Sequence, residues 1–132
     1  MADLNIPAEG YKFTKSDEWV KLEGDEALIG ITDYAQDLLS DLVFVELPEV
    51  GDTFDQGDTF GVVESVKAAA DVNMPVGGEV VAVNSGLEDA PETINSDAFG
   101  EGWIIRIKPS DTSELDGLMD AEAYRAYCEE RA

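Results

Sequence analysis

"FGVVESVKAAADVNM", residues 60–74, is the stretch from which the fold is read. Two strand-like runs, "FGVVES" and "ADVNM", lie either side of one lysine, Lys67. Branched and aromatic residues suit a pleated, half-buried surface. Glycines bracket the segment, Gly51 before it and Gly78 after it. This arrangement predicts a tight hairpin with Lys67 at its tip.

The flanks carry the same grammar. "GDTF" occurs at 51–54 and again at 57–60, marking two turns. "LVFVEL", 42–47, reads as a strand ended by Pro48, and "PVGG", 75–78, as a turn into the strand "EVVAV". Upstream, "EWVKL" and "ALIGI" flank the turn "GDE", 24–26, and should pair as a hairpin. Trp19 and Lys21 should face one way, Val20 and Leu22 the other. Thr32 is placed to cap a short helix, with Tyr34, Ala35, Leu38 and Leu39 as its apolar face. Downstream, "WIIRIKP", 103–109, predicts a strand with Trp103, Ile105 and Ile107 on one face, Ile104 and Arg106 on the other. Leu115, Leu118, Met119 and Tyr124 to Tyr127 approximate a helical stripe, and Asp120 can cap a last helix at about 120–130. The whole pattern is mainly β: a sandwich or flattened barrel of short antiparallel strands, with short helices and a C-terminal helix packed across it.

The length of 132 residues fits one domain, residues 1–132, and 44% hydrophobic residues suffice for a core. Eight Lys and Arg stand against 30 Asp and Glu, a net charge of −22. Such a surface repels nucleic acid and anionic membrane, which bind through Lys and Arg. No apolar run is long enough to span a bilayer, and the N-terminus has neither signal nor transit character. The expected compartment is the cytoplasm. Cys128 is alone, so no intrachain disulfide forms, and Glu129 and Glu130 beside it oppose a thiolate. It reads as a helix-packing residue.

With no His, a Ser-His-Asp set is impossible, and no imidazole can ligate a metal. "DTFDQGD" lacks the closing Glu of a calcium loop, so no metal site is expected. Paired carboxylates carry little information in a chain this acidic. A lone lysine is ordinarily a solvated surface residue. A Schiff-base role needs a neutral amine in a dry pocket, whereas Glu64, Asp71 and a wet tip favour the ammonium. The remaining reading is a modification site, with the amine offered to a modifying enzyme.

"FGVVESVKAAADVNMPVGGEVVAVN", 60–84, resembles the lipoyl-lysine segment of lipoylated carriers, with Gly51, Phe54, Phe60, Val63, Lys67, Val72, Gly78 and Val80 fitting the pattern. Biotinyl carriers have Met on both sides of the lysine; here Val66 and Ala68 stand there. "DEWVKLEGDEALIGITDYAQDLLSDLVFVELPEVGD", "LEDAPETINSDAFGEGWIIRIKPSD" and "ELDGLMDAEAY" narrow the resemblance to the H proteins of the glycine cleavage system, over about residues 11–127. The resemblance implies a lipoyl-domain-like hybrid sandwich with a lipoyl hairpin at about 60–84. It implies a non-catalytic carrier with lipoate in amide linkage on Lys67. Its partners would be glycine decarboxylase (P protein), aminomethyltransferase (T protein), dihydrolipoamide dehydrogenase (L protein) and a lipoate-attaching enzyme, with the carrier a monomer.

The resemblance further implies that Ser16, Glu18 and Asp71 line the cleft that holds the loaded arm, and Glu64 is a candidate contact for the lipoate-attaching enzyme. The chain departs from the family at Asp17, where a His is usual, at Ala69 and Ala70, and in the turn Pro75-Val76-Gly77-Gly78. Asp17 adds negative charge near a site expected to receive a cation. Two rival readings are an H-like scaffold in another lipoate pathway and an enzyme using unmodified Lys67 as its nucleophile.

The dispersed acidic surface suggests adaptation to high salt, where ions screen self-repulsion. The melting temperature should therefore be far higher in molar salt than in dilute buffer; equal values would sink the idea.

Overall fold

The computed structural model describes residues 5–131. Its strands are β1 (Tyr11–Phe13), β2 (Glu18–Glu23), β3 (Glu26–Ile31), β4 (Leu42–Glu46), β5 (Thr53–Phe54), β6 (Thr59–Ser65), β7 (Ala69–Asn73), β8 (Gly78–Val83) and β9 (Ile105–Pro109). Its helices are α1 (Asp33–Leu39), α2 (Gly86–Asp89), α3 (Thr93–Ser96) and α4 (Ala121–Arg131). A six-stranded sheet has the order β1-β2-β3-β9-β8-β5, and a three-stranded sheet the order β4-β6-β7. All pairings are antiparallel. The expected mainly β, sandwich-like architecture is the one observed.

The main core lies between the sheets. Register places Val20, Ile29 and Ile105 opposite one another along one row of the large sheet, and Ala27, Ile107 and Val80 along the next. These residues pack with Val45, Val63 and Val72 of the small sheet. The two glycine turns form as read. Gly51 and Gly57 have φ of 99° and 89°, in the left-handed region that glycine enters without steric cost. Gly51 donates its amide to Val80 O of β8, and Gly57 to Met74 O just beyond β7. Asp52 and Asp58 then accept the amides of Glu49 and Asp55, closing both turns in the same way.

Several sequence expectations change because the large sheet is covered on both faces. A second cluster of Phe13, Trp19, Tyr34, Tyr124 and Cys128 fills its outer side beneath α4. Alternation on β2 therefore sorts residues between two cores: Trp19 enters the second and Val20 the main one, while Leu22 on Val20's face is left exposed. Trp103 precedes β9 and packs on the second cluster, away from Ile105 and Ile107, while Ile104 joins the main core. Leu115 to Met119 do not continue into α4. Thr112–Gly117 is a 3-10 turn, and Met119 pairs with Phe13 through two backbone hydrogen bonds. Asp120 does cap α4, accepting the amide of Ala123. The hairpin ends at Asn73, since β8 crosses to the large sheet.

Gly30 is fixed by this two-sided packing. It lies directly opposite Trp19, and a Cβ there would sit 2.7 Å from the indole ring. Gly30→Ala should lower stability by about 1–3 kcal/mol through overpacking. Urea unfolding at matched pH checks this, and an unchanged midpoint would contradict it.

Candidate functional site

The β6–β7 turn is built around Ser65, itself almost buried. Its amide and hydroxyl both donate to Ala68 O, and its Oγ accepts the amides of Lys67 and Ala68. The loop is thus stiff at its base and bare at its crest. Val66 is 81% exposed, and Lys67 is exposed beside it. Lys67 takes part in none of the ion pairs found among the described residues. Glu64 is half-buried on β6, between Phe44 of β4 and Ala69 of β7.

Beside the edge strand β7 lies a cleft of about 150 Å³, bounded by residues 16–18, by α1 and by Val63, Ala70, Asp71 and Val72. Ser16, Glu18 and Asp71, proposed from sequence, all line it. Asp71 is exposed and Glu18 is 1% exposed. Leu38 and Leu39 supply an apolar wall, which explains why Leu38 of α1 is exposed and faces no core. A larger depression of about 380 Å³ beside Tyr11, Lys12 and Leu22 shares no lining residue with the Lys67 hairpin.

Glu18 is buried, and both of its oxygens accept hydrogen bonds. Oε1 accepts hydroxyl hydrogens from Thr14 and Ser16, and Oε2 accepts the amide of Asn73, 3.1 Å away. Burial pushes the carboxyl above its ordinary value, the bonds from Ser16, Thr14 and Asn73 pull it back, and the Asp17 charge adds to the rise. Thr14 and the Asn73 amide were not singled out in the sequence. Thr14 sits four residues before Glu18 within "TKSDE", a run of short polar side chains that signals such local bonding.

Asp17 is also on the cleft wall, but its carboxylate is not free. Its backbone has φ of 73°, a left-handed conformation that Asp tolerates better than most residues. Oδ1 accepts from Tyr124 Oη and Arg131 Nη2, and Oδ2 from Arg131 Nη1 at 3.1 Å. The extra charge expected at this position is therefore paired with α4. Burial pushes the Tyr124 hydroxyl up, so the phenol stays protonated as a donor. Among the described residues, no group of three or more Cys, Asp or Glu gathers to hold a metal, and no helix is long and apolar enough to cross a membrane. Cys128 is buried in the second cluster.

Residues 11–131 match the family model described as Glycine cleavage H-protein. The chain is 58% identical over 127 residues to the glycine cleavage system H protein of Shewanella sp. (strain ANA-3), covering 96% of this chain and 98% of the relative. It is 60% identical over 121 residues to that of Pseudoalteromonas translucida (strain TAC 125), covering 91% and 93%. The crystal structure of a glycine cleavage system H protein from Mycobacterium marinum superposes with a TM-score of 0.84 at 37% identity, covering 92% of this chain and 97% of that one.

The Glu18 environment gives a pH signature. The folded protein holds the Glu18 proton more tightly than the unfolded chain, whose value lies near 4.5. The stabilising share of this group is therefore complete below about pH 4.5 and is lost as pH rises through the folded value. Glu18→Gln cannot ionise, so its stability should gain on the parent's as pH rises above about 4.5. Paired urea titrations across that range measure the gap; a flat gap, or one moving toward the parent, would contradict the assignment.

Proposed function

Because the chain belongs to the glycine cleavage H-protein family, we propose that it is a lipoyl carrier modified on Lys67. The observation that carries this reading is the pairing of a stiff, bare lysine tip with a carboxylate-bearing cleft on the same hairpin. A lysine at an exposed crest, in none of the ion pairs among the described residues, suits enzymatic acylation. Lys67 would hold lipoate through an amide, and the group would supply a reducible disulfide at the end of a flexible arm, the chemistry on which a carrier serving the P, T and L proteins would depend.

The chain's own residues would shelter that cargo. Asp71 follows Lys67 by four residues, and a fully extended chain spans at most about 3.6 Å per residue, so the two lie within about 14 Å of each other. Asp71 and Glu18 offer carboxylates to a cationic amine, and Ser16 orients Glu18 through its hydroxyl. Leu38, Ala35 and Val63 form walls that keep water from the bound group. Glu64, close to the tip on β6, would be read by the lipoate-attaching enzyme. No residue here is assigned a catalytic role. The carrier would act as one domain and as a monomer in the cytoplasm, borrowing its chemistry from partner enzymes. Tethering raises effective concentration, so a labile group passes between active sites without free diffusion.

Intact mass of protein from a lipoate-replete host is expected to show one added lipoyl group, absent in Lys67→Arg. The loaded protein should support glycine–bicarbonate exchange with the cognate decarboxylase. Unmodified Lys67 that instead traps a carbonyl compound under borohydride would overturn the carrier reading, and failed exchange with an active partner would favour another lipoate pathway.

A further inference from the structure

The ion pair between Asp17 and Arg131 joins the cleft wall to the last turn of α4. Arg131 is held from three sides. Its guanidinium grips Asp17 through both oxygens, and it lies over the rings of Tyr34 and Tyr127 at 4.2 and 4.1 Å. Tyr124 spends its single hydroxyl hydrogen on Asp17, so Thr32 Oγ1 must donate to Tyr124, while also accepting the Ala35 amide that starts α1. Tyr127 donates to Lys15 O in the same loop. The loop before Glu18 is thus held by α4, and its one aspartate is matched by a cation.

The consequence is electrostatic. Three carboxylates line the cleft, Asp17, Glu18 and Asp71. Of these, only Asp17 is in an ion pair among the described residues. We propose that Arg131 sets the affinity of the cleft for a cationic amine, by cancelling the charge of Asp17 and leaving Glu18 and Asp71 to bind. A cleft with three open carboxylates would hold its cargo too firmly to hand it on, and one with an unmatched Arg131 would repel it. Arg131 acts through Asp17 and is a positioning residue. This inference rests on the proposed role of the cleft.

The test uses the full-length, unlipoylated chain with methylammonium as probe, followed by the amide signals of Ser16 and Asn73 at constant, low ionic strength. Breaking one pair from its two ends should give opposite results. Arg131→Gln is expected to tighten methylammonium binding about threefold, and Asp17→Asn to weaken it by a similar factor. The double variant Asp17→Asn/Arg131→Gln and the single variant Arg131→Lys should both return to the parent value. The differences should collapse in molar salt. A structural role alone would move both single variants in the same direction, which would overturn the proposal. Asp71→Asn separates the two levels: it should weaken binding, and if it does not, the cleft takes no ammonium and the functional reading falls with this one. Weakening by Asp71→Asn with no change in Arg131→Gln overturns the inference alone.

Discussion

A single buried carboxylate, Glu18, holds the two sheets together where the cleft forms. It starts β2 of the large sheet and accepts the Asn73 amide at the end of β7 in the small one. An edge strand has amides with no strand partner, and leaving one buried and unpaired costs about 1–3 kcal/mol. Thr14 and Ser16 fill the remaining acceptor sites on Oε1, so the charge is solvated by protein where water is excluded. The loop from Thr14 to Asp17 must therefore fold onto Glu18, and the hairpin carrying Lys67 must dock beside it. The cleft is the gap left between these two requirements.

The parts of the fold legible in the sequence are those with local causes. Gly51 and Gly57 need a left-handed backbone and are followed by aspartates that close their own turns. Thr32 caps α1 through the Ala35 amide three residues on. The hairpin around Lys67 is set by short-range bonds to Ser65. Parts with distant causes were not legible. The second core joins Phe13 to Tyr124, stacked at 4.8 Å, and no periodicity within either segment announces the other. For that reason alternation places Trp103 on one face with Ile105 and Ile107, whereas it packs on the second core. The short helices α2 and α3 contain too few residues for a periodic pattern.

The candidate site divides in the same way. Lys67, Ser16, Glu18 and Asp71 could be named from the sequence, through a family resemblance that composition alone would not have supplied. Their partners could not. Asp17 meets Arg131 across 114 positions, and nothing near either residue predicts the pair. It nevertheless changes the sign of an electrostatic argument, since a carboxylate expected to enrich the cleft is already neutralised. In a chain with eight basic residues against thirty acidic ones, placing an arginine here is a specific use of a scarce charge. Most other acidic residues among the described ones are exposed, whereas this pair is partly shielded, with Asp17 at 13% side-chain exposure.

The central claim is that cargo carried on Lys67 is housed against Glu18 and Asp71. Backbone amide shifts of the lipoylated protein, recorded before and after loading with glycine by its decarboxylase, test it most directly. The account predicts the largest changes at Ser16, Asp71 and Asn73, with smaller ones at Leu38. Changes confined to Val66, Lys67 and Ala68 would contradict it, because they would mean that the loaded arm stays in solvent at the tip.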